Sequence, residues 1–84
     1  MRVIYLYTPM CGTCNLAEKL LSYVEGLVDT KIEKYNINFQ RELAATYQIE
    51  SVPCLLKING EKVDKLYAFG DVTSIYQWLK NTDL

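Results

Sequence analysis

Two cysteines, Cys11 and Cys14, flank Gly12 and Thr13 in a chain of 84 residues that contains no histidine. Thiols at this spacing can cycle between dithiol and disulfide, hold a metal, or pack as small inert groups. A thiol attacks as its anion. At the reference pKa of about 8.5 roughly 3% of a thiol is ionised at pH 7, and at a pKa of about 7 roughly half is. Exchange chemistry therefore needs surroundings that favour negative charge. Metal binding needs more ligands than the pair supplies. A third cysteine, Cys54, is present, but with no imidazole a mononuclear zinc site on Cys11, Cys14 and Cys54 would need a carboxylate or a second chain to complete it.

The elements around the pair decide which chemistry it is placed to do. Residues 2–7 alternate two apolar faces, Val3-Tyr5-Tyr7 and Ile4-Leu6, which marks a central strand covered on both sides. Thr8-Pro9 breaks it. From about Cys11 to Val28 the period lengthens: Ala17, Leu20, Leu21, Val24, Leu27 and Val28 share one side, and Asn15, Glu18, Lys19, Ser22 and Glu25 take the other. This is an amphipathic helix, with Gly26 a weak point near its end. Cys11 then falls at a helix N-terminus, where unpaired N–H groups and the helix dipole favour an anion. Cys14 lies one turn deeper. The placement gives Cys11 the attacking role and Cys14 the resolving role, with Gly12 leaving the turn open. In this strand–CxxC–helix setting, redox chemistry outweighs two inert thiols.

Further along, residues 30–37 read as a more polar strand with Ile32, Tyr35 and Ile37 apolar. Asn38 is the expected N-cap of a short helix carrying Phe39, Leu43, Ala44 and Tyr47. Residues 52–58 read as a third strand. Asn59-Gly60 is a hairpin turn into a fourth strand over about 61–69, with Val63, Tyr67 and Phe69 expected on one face. Gly70 punctuates, and Asp71 or Thr73 caps a last helix with Val72, Ile75, Tyr76 and Leu79 on one side. The order β-α-β-α-β-β-α predicts a mixed four-stranded sheet with helices on both faces, strands joined through a helix running parallel.

Composition narrows the class. Nine basic and ten acidic residues leave a formal charge of −1, without the basic footprint of a nucleic-acid binder or a Lys/Arg run aimed at a membrane. Half the residues are hydrophobic, as in a folded globular chain. The apolar run at the N-terminus is too short for a membrane span and reads as a strand, not a leader. The expectation is one domain over residues 1–84, cytosolic and monomeric. Its odd cysteine count argues against a framework of structural bridges.

The segments Tyr7-Thr8-Pro9-Met10-Cys11-Gly12-Thr13-Cys14, Lys34-Tyr35-Asn36-Ile37-Asn38, Tyr47-Gln48-Ile49-Glu50-Ser51-Val52-Pro53, Asn59-Gly60-Glu61 and Gly70 occur in the order of the thioredoxin/glutaredoxin superfamily's landmarks. The chain resembles that superfamily over nearly its whole length. The resemblance implies a minimal thioredoxin fold, with Cys11 and Cys14 as the dithiol/disulfide pair. Taken alone, Pro53 reads as a trans proline opening a strand. The resemblance implies a cis-proline facing the dithiol, with Val52 offering its backbone to an extended substrate and Met10, Gly12 and Thr13 completing the contact surface. It also implies a function: reduction of disulfides in protein substrates, with no bound cofactor or metal, using a thioredoxin reductase or glutathione as electron donor.

The departures matter too. Glycine follows the first cysteine as in thioredoxins, and Thr13 stands where thioredoxin has proline. Met10 replaces thioredoxin's tryptophan. The family's buried aspartate aligns with Tyr5, a poor base at pH 7, which leaves water as base or a slow resolving step. Lys34 matches the lysine usually near that aspartate, and reads equally as a solvated strand charge. Ala68-Phe69-Gly70-Asp71 only partly matches a glutathione-binding pattern, and Asp71 reads as well as a helix cap, so a thioredoxin-like role ranks above a glutathione-dependent one. Cys54, beside Pro53, is either an auxiliary thiol or, as favoured, a small buried apolar residue. Two rivals remain: a metal-binding module and a redox sensor whose CxxC switches a surface without turnover.

Overall fold

The computed structural model describes residues 1–81; the single-domain expectation extends to residues 82–84, which lie outside the described residues. The elements are β1 (Arg2–Tyr7), α1 (Gly12–Glu25), β2 (Ile32–Asn36), a 3-10 turn (Ile37–Phe39), α2 (Arg41–Thr46), β3 (Cys54–Asn59), β4 (Lys62–Leu66) and α3 (Val72–Lys80). The sheet order is β2-β1-β3-β4. β1 is thus internal, as its two apolar faces require. Val3, Tyr5 and Leu55 pack with Ala17, Leu21 and Val24 of α1 and Ile75 and Leu79 of α3. Ile4, Leu6, Cys54 and Leu56 form the opposite layer, covered by Leu43 of α2 and by Tyr47 and Ile49 just after it. The architecture is the thioredoxin fold, with helices on both faces.

Several local expectations are corrected. β1 and β2 are parallel with Tyr7 opposite Asn36, but β3 runs antiparallel to β1. The short α2 carries the chain past β1 without restoring its direction, so the helix-joined β2 and β3 are not parallel. Asn38 does not cap α2: the intervening 3-10 turn is capped by Asn36, whose side chain accepts from the Asn38 N–H at 2.9 Å. α1 stops at Glu25 with Gly26 as its C-cap, and Leu27 is left exposed. In the β4 region, Val63 is exposed, Tyr67 joins the α2 layer and Phe69 the α1 layer, because regular pairing ends at Leu66 and the chain turns before Phe69. The Asn59-Gly60 turn has Gly60 at φ 65°, the left-handed region where glycine is favoured.

Among the described residues one charged side chain is buried. Lys57, 1% exposed, stands on the α3 side of β3. Its ammonium donates to the Trp78 and Asn81 carbonyls, each at 2.7 Å, and lies 4.4 Å from the Trp78 ring centroid. It satisfies carbonyls at the C-terminal end of α3, where positive charge is favourable.

Candidate active site

β1, followed by the turn in which the Cys11 N–H donates to the Thr8 carbonyl at 3.1 Å, delivers Cys11 to the N-cap of α1. There its backbone is extended (φ −102°, ψ 113°) and its sulfur accepts the Cys14 N–H at 3.2 Å. The sulfur does what a serine or aspartate oxygen does at an ordinary N-cap. The Thr13 hydroxyl lies 3.2 Å from the same sulfur, and α1 has no acidic residue in its first turn to oppose an anion. These groups act in one direction: hydrogen bonds from Cys14 and then Thr13 pull the Cys11 thiol below its ordinary range.

Cys14 is only 2% exposed. Burial, then its link to Cys11, pushes its thiol upward. The two thiols thus divide into a partly exposed one drawn downward and a buried one pushed upward. Gly12 is open: a Cβ built there would meet nothing within 4 Å.

Near the start of α1 lies Pro53, after a Val52–Pro53 peptide bond that is cis, the isomer the resemblance implied. The segment before it is tied down by β4 and its continuation. The Lys65 ammonium donates to the Tyr47 and Gln48 carbonyls at 3.0 and 3.2 Å, and the Glu50 N–H donates to the Tyr67 hydroxyl at 3.1 Å. Thr13 and Pro53 line one open groove of about 270 Å³ with Leu16, Leu20, Tyr67 and Phe69 among the other walls. Met10, 93% exposed, stands beside Cys11 in sequence. Cys11, Thr13 and Pro53 are therefore brought to one end of the sheet, with Met10, Gly12 and Val52 adjoining them in the chain.

The remaining candidates lie elsewhere. Lys34 pairs with Glu25 at 3.4 Å, at the C-terminal end of α1. Cys54 is fully buried in the α2 layer, away from the face that α1 covers. Burial raises its thiol to about 11, the behaviour of a packing cysteine. Among the described residues no group of three or more His, Cys, Asp or Glu is arranged to hold a metal ion. Asp71 caps α3, its carboxylate accepting the Ser74 N–H at 2.8 Å.

The model of the Thioredoxin family matches residues 1–81. The chain belongs to the thioredoxin family. It is 48% identical over 80 residues to the thioredoxin-like protein YusE of Bacillus subtilis, a match covering 93% of this chain and 76% of that protein. It is 30% identical over 83 residues to the mitochondrial thioredoxin of Mus musculus, covering 93% of this chain but only 49% of that longer relative. A solved thioredoxin from Halobacterium salinarum superposes with a TM-score of 0.83 at 23% identity, over 98% of this chain and 74% of that one. Thioredoxin 1 of Thermosipho africanus superposes with a TM-score of 0.74 at 15% identity over the full length of both chains. At such identities the two structures speak for the fold. Family membership makes the protein, in general terms, a thiol–disulfide oxidoreductase.

The sequence reading missed Thr13 as a hydrogen-bond partner of the Cys11 sulfur. The signal was available: a hydroxyl two residues after an N-cap lies within reach of the capping atom.

Proposed function

We propose that this thioredoxin-family chain reduces disulfides in protein substrates through Cys11 and Cys14. The Cys11 thiolate attacks one sulfur of the substrate disulfide. A Cys11–substrate bond forms, the substrate S–S bond breaks, and the departing sulfur takes a proton from water. Cys14 then displaces the second substrate sulfur and leaves a Cys11–Cys14 disulfide. The substrate gains the two electrons that the dithiol loses. The observation that supports this reading above the others is the Cys11 sulfur acting as N-cap of α1, with the buried Cys14 thiol one turn behind it. Met10, Gly12, Thr13, Val52 and Pro53 are the proposed substrate contacts, Val52 through its backbone.

The electrons reside in the two sulfurs, so the reaction asks for no bound cofactor. A thioredoxin reductase is the proposed electron donor in preference to glutathione. Asp71, the acidic residue that matched a glutathione pattern, is engaged as the cap of α3. A cytoplasmic monomer is the proposed setting, where glutathione and thioredoxin systems keep such thiols reduced. The test is reduction of insulin disulfides with thioredoxin reductase and NADPH, and separately with glutathione. Turnover with the first and none after Cys11→Ser supports the proposal. Turnover with glutathione alone reverses the donor, and no turnover with either overturns the enzymatic reading.

A further inference from the structure

Behind the dithiol stands a tyrosine. Tyr5, in the middle of β1, is fully buried, with its ring stacked on Tyr7 at a centroid distance of 5.6 Å and edge-on to Phe69 at 6.2 Å. Its hydroxyl donates to the Cys14 carbonyl at 2.8 Å. A phenol has one proton: it goes to that carbonyl, and the hydroxyl's interaction with the Cys14 side chain favours a Cys14 thiolate, so the group acts as a donor here and not as a base. Burial, and then charge on Cys14, raise Tyr5 far above the ordinary phenol range. Neutral Tyr5 is no acceptor for the Cys14 proton.

Other groups offer no substitute. On α1 the neighbouring titratable groups are Cys11 and Glu18, and Glu18 is on the exposed side. Tyr7 follows on β1. On β2, Lys34 is the register partner of Tyr5 and its ammonium turns to Glu25. β3 presents Leu55, the turn before α3 presents Phe69, and α3 presents Ile75 and Leu79, all apolar. Among the described residues the one buried charged side chain is Lys57, a cation, which β3 pairs with Val3 toward the opposite end of β1 from the dithiol.

We infer that Tyr5 is a positioning residue that holds the resolving cysteine by its carbonyl, and that resolution, lacking an internal base, draws on solvent and limits turnover at neutral pH. This rests on the exchange proposed for Cys11 and Cys14. In the resolving step Cys14 gives its proton to hydroxide at the groove. Its thiolate bonds to the Cys11 sulfur, the Cys11–substrate bond breaks, and the electron pair leaves on the substrate sulfur, which is protonated by water.

A single-turnover reaction of the reduced protein with dithiobis(nitrobenzoate) separates the steps, since attack and resolution each release one coloured thiolate. The first release levels off once Cys11 is ionised. The second rises about tenfold per pH unit through neutral pH, following the Cys14 thiolate fraction. Tyr5→Phe keeps the ring and removes the hydroxyl. It slows the second release about three- to tenfold, as loss of one buried hydrogen bond implies, changes the first by less than twofold, and keeps the tenfold slope. A second release that levels off near neutral pH in the unaltered protein overturns the inference, because it reveals an internal acceptor. So does a Tyr5→Phe protein in which both releases slow alike, or neither slows. If that variant does not fold, the slope in the unaltered protein decides. Absence of the first release overturns the Cys11 reading itself.

Discussion

Two helices begin at the same end of the sheet with the same device and opposite consequences. At α1, the Cys11 sulfur accepts the N–H of the residue three positions on, Cys14. At α3, the Asp71 carboxylate accepts the N–H of the residue three positions on, Ser74. Both capping residues have extended backbones, and both side chains are held below their ordinary pKa, Cys11 by Cys14 and Thr13 and Asp71 by Ser74. A carboxylate is already ionised at neutral pH, so lowering its pKa further changes only helix stability. A thiol titrates close to neutral pH, so the same lowering changes how much nucleophile exists. One cap is structural and the other reactive because of the atom that occupies it.

Exchanging the atoms breaks the comparison most severely. Cys11→Asp keeps an N-cap oxygen and the α1 helix by circular dichroism, yet disulfide reduction falls by on the order of a thousandfold or more, since the nucleophile is gone. Next comes the support on the sulfur. Thr13→Ala removes a hydrogen bond of 3.2 Å, raises the Cys11 pKa and slows its alkylation at pH 7 about three- to tenfold; an unchanged rate would leave the backbone cap as the sufficient cause. Asp71→Ala is the structural counterpart. It lowers the melting temperature while the alkylation rate of Cys11 stays within about twofold, because loss of a cap acts on the helix it caps. The pH sense is fixed by the lowered Asp71 pKa. Its contribution is full above the ordinary carboxylate value of about 3.9 and is lost as pH falls through the lower folded value, so wild type and variant converge in acid. Cys54→Ala produces the smallest change in chemistry. Its thiol is buried on the α2 side, so exchange rates stay within about twofold and only stability declines, by about 1 kcal/mol.

Much of this was legible in the chain because it is local. The double apolar alternation of residues 2–7 placed β1 inside the sheet, the change of period after Pro9 placed Cys11 at a helix start, and Asn59-Gly60 marked the hairpin. What was missed depends on distant partners or on competition between local options. Asn36 and Asn38 are equally good capping residues, and the 3-10 turn that chooses Asn36 is absent from any hydrophobic period. The antiparallel course of β3 follows from how the chain passes β1, not from the residues of α2. Nothing local in the sequence marks Lys57 as buried, because its partners, the Trp78 and Asn81 carbonyls, arrive only when α3 folds back. The lysine and carboxylate landmarks behaved unevenly as well: Lys34 matches a family position, yet its charge is spent on Glu25, and the position of the aspartate is held by a phenol bonded to the Cys14 backbone.

The central claim is that the α1 cap makes one sulfur an anion. Its most direct test is the alkylation rate of each cysteine in the reduced protein as a function of pH, with modified residues located by peptide mapping. The account predicts that Cys11 reacts first, with a midpoint clearly below the ordinary thiol value of about 8.5, while Cys14 and Cys54 stay protected in the folded chain. A Cys11 midpoint at or above that value, or equal rates at the three cysteines, would contradict it.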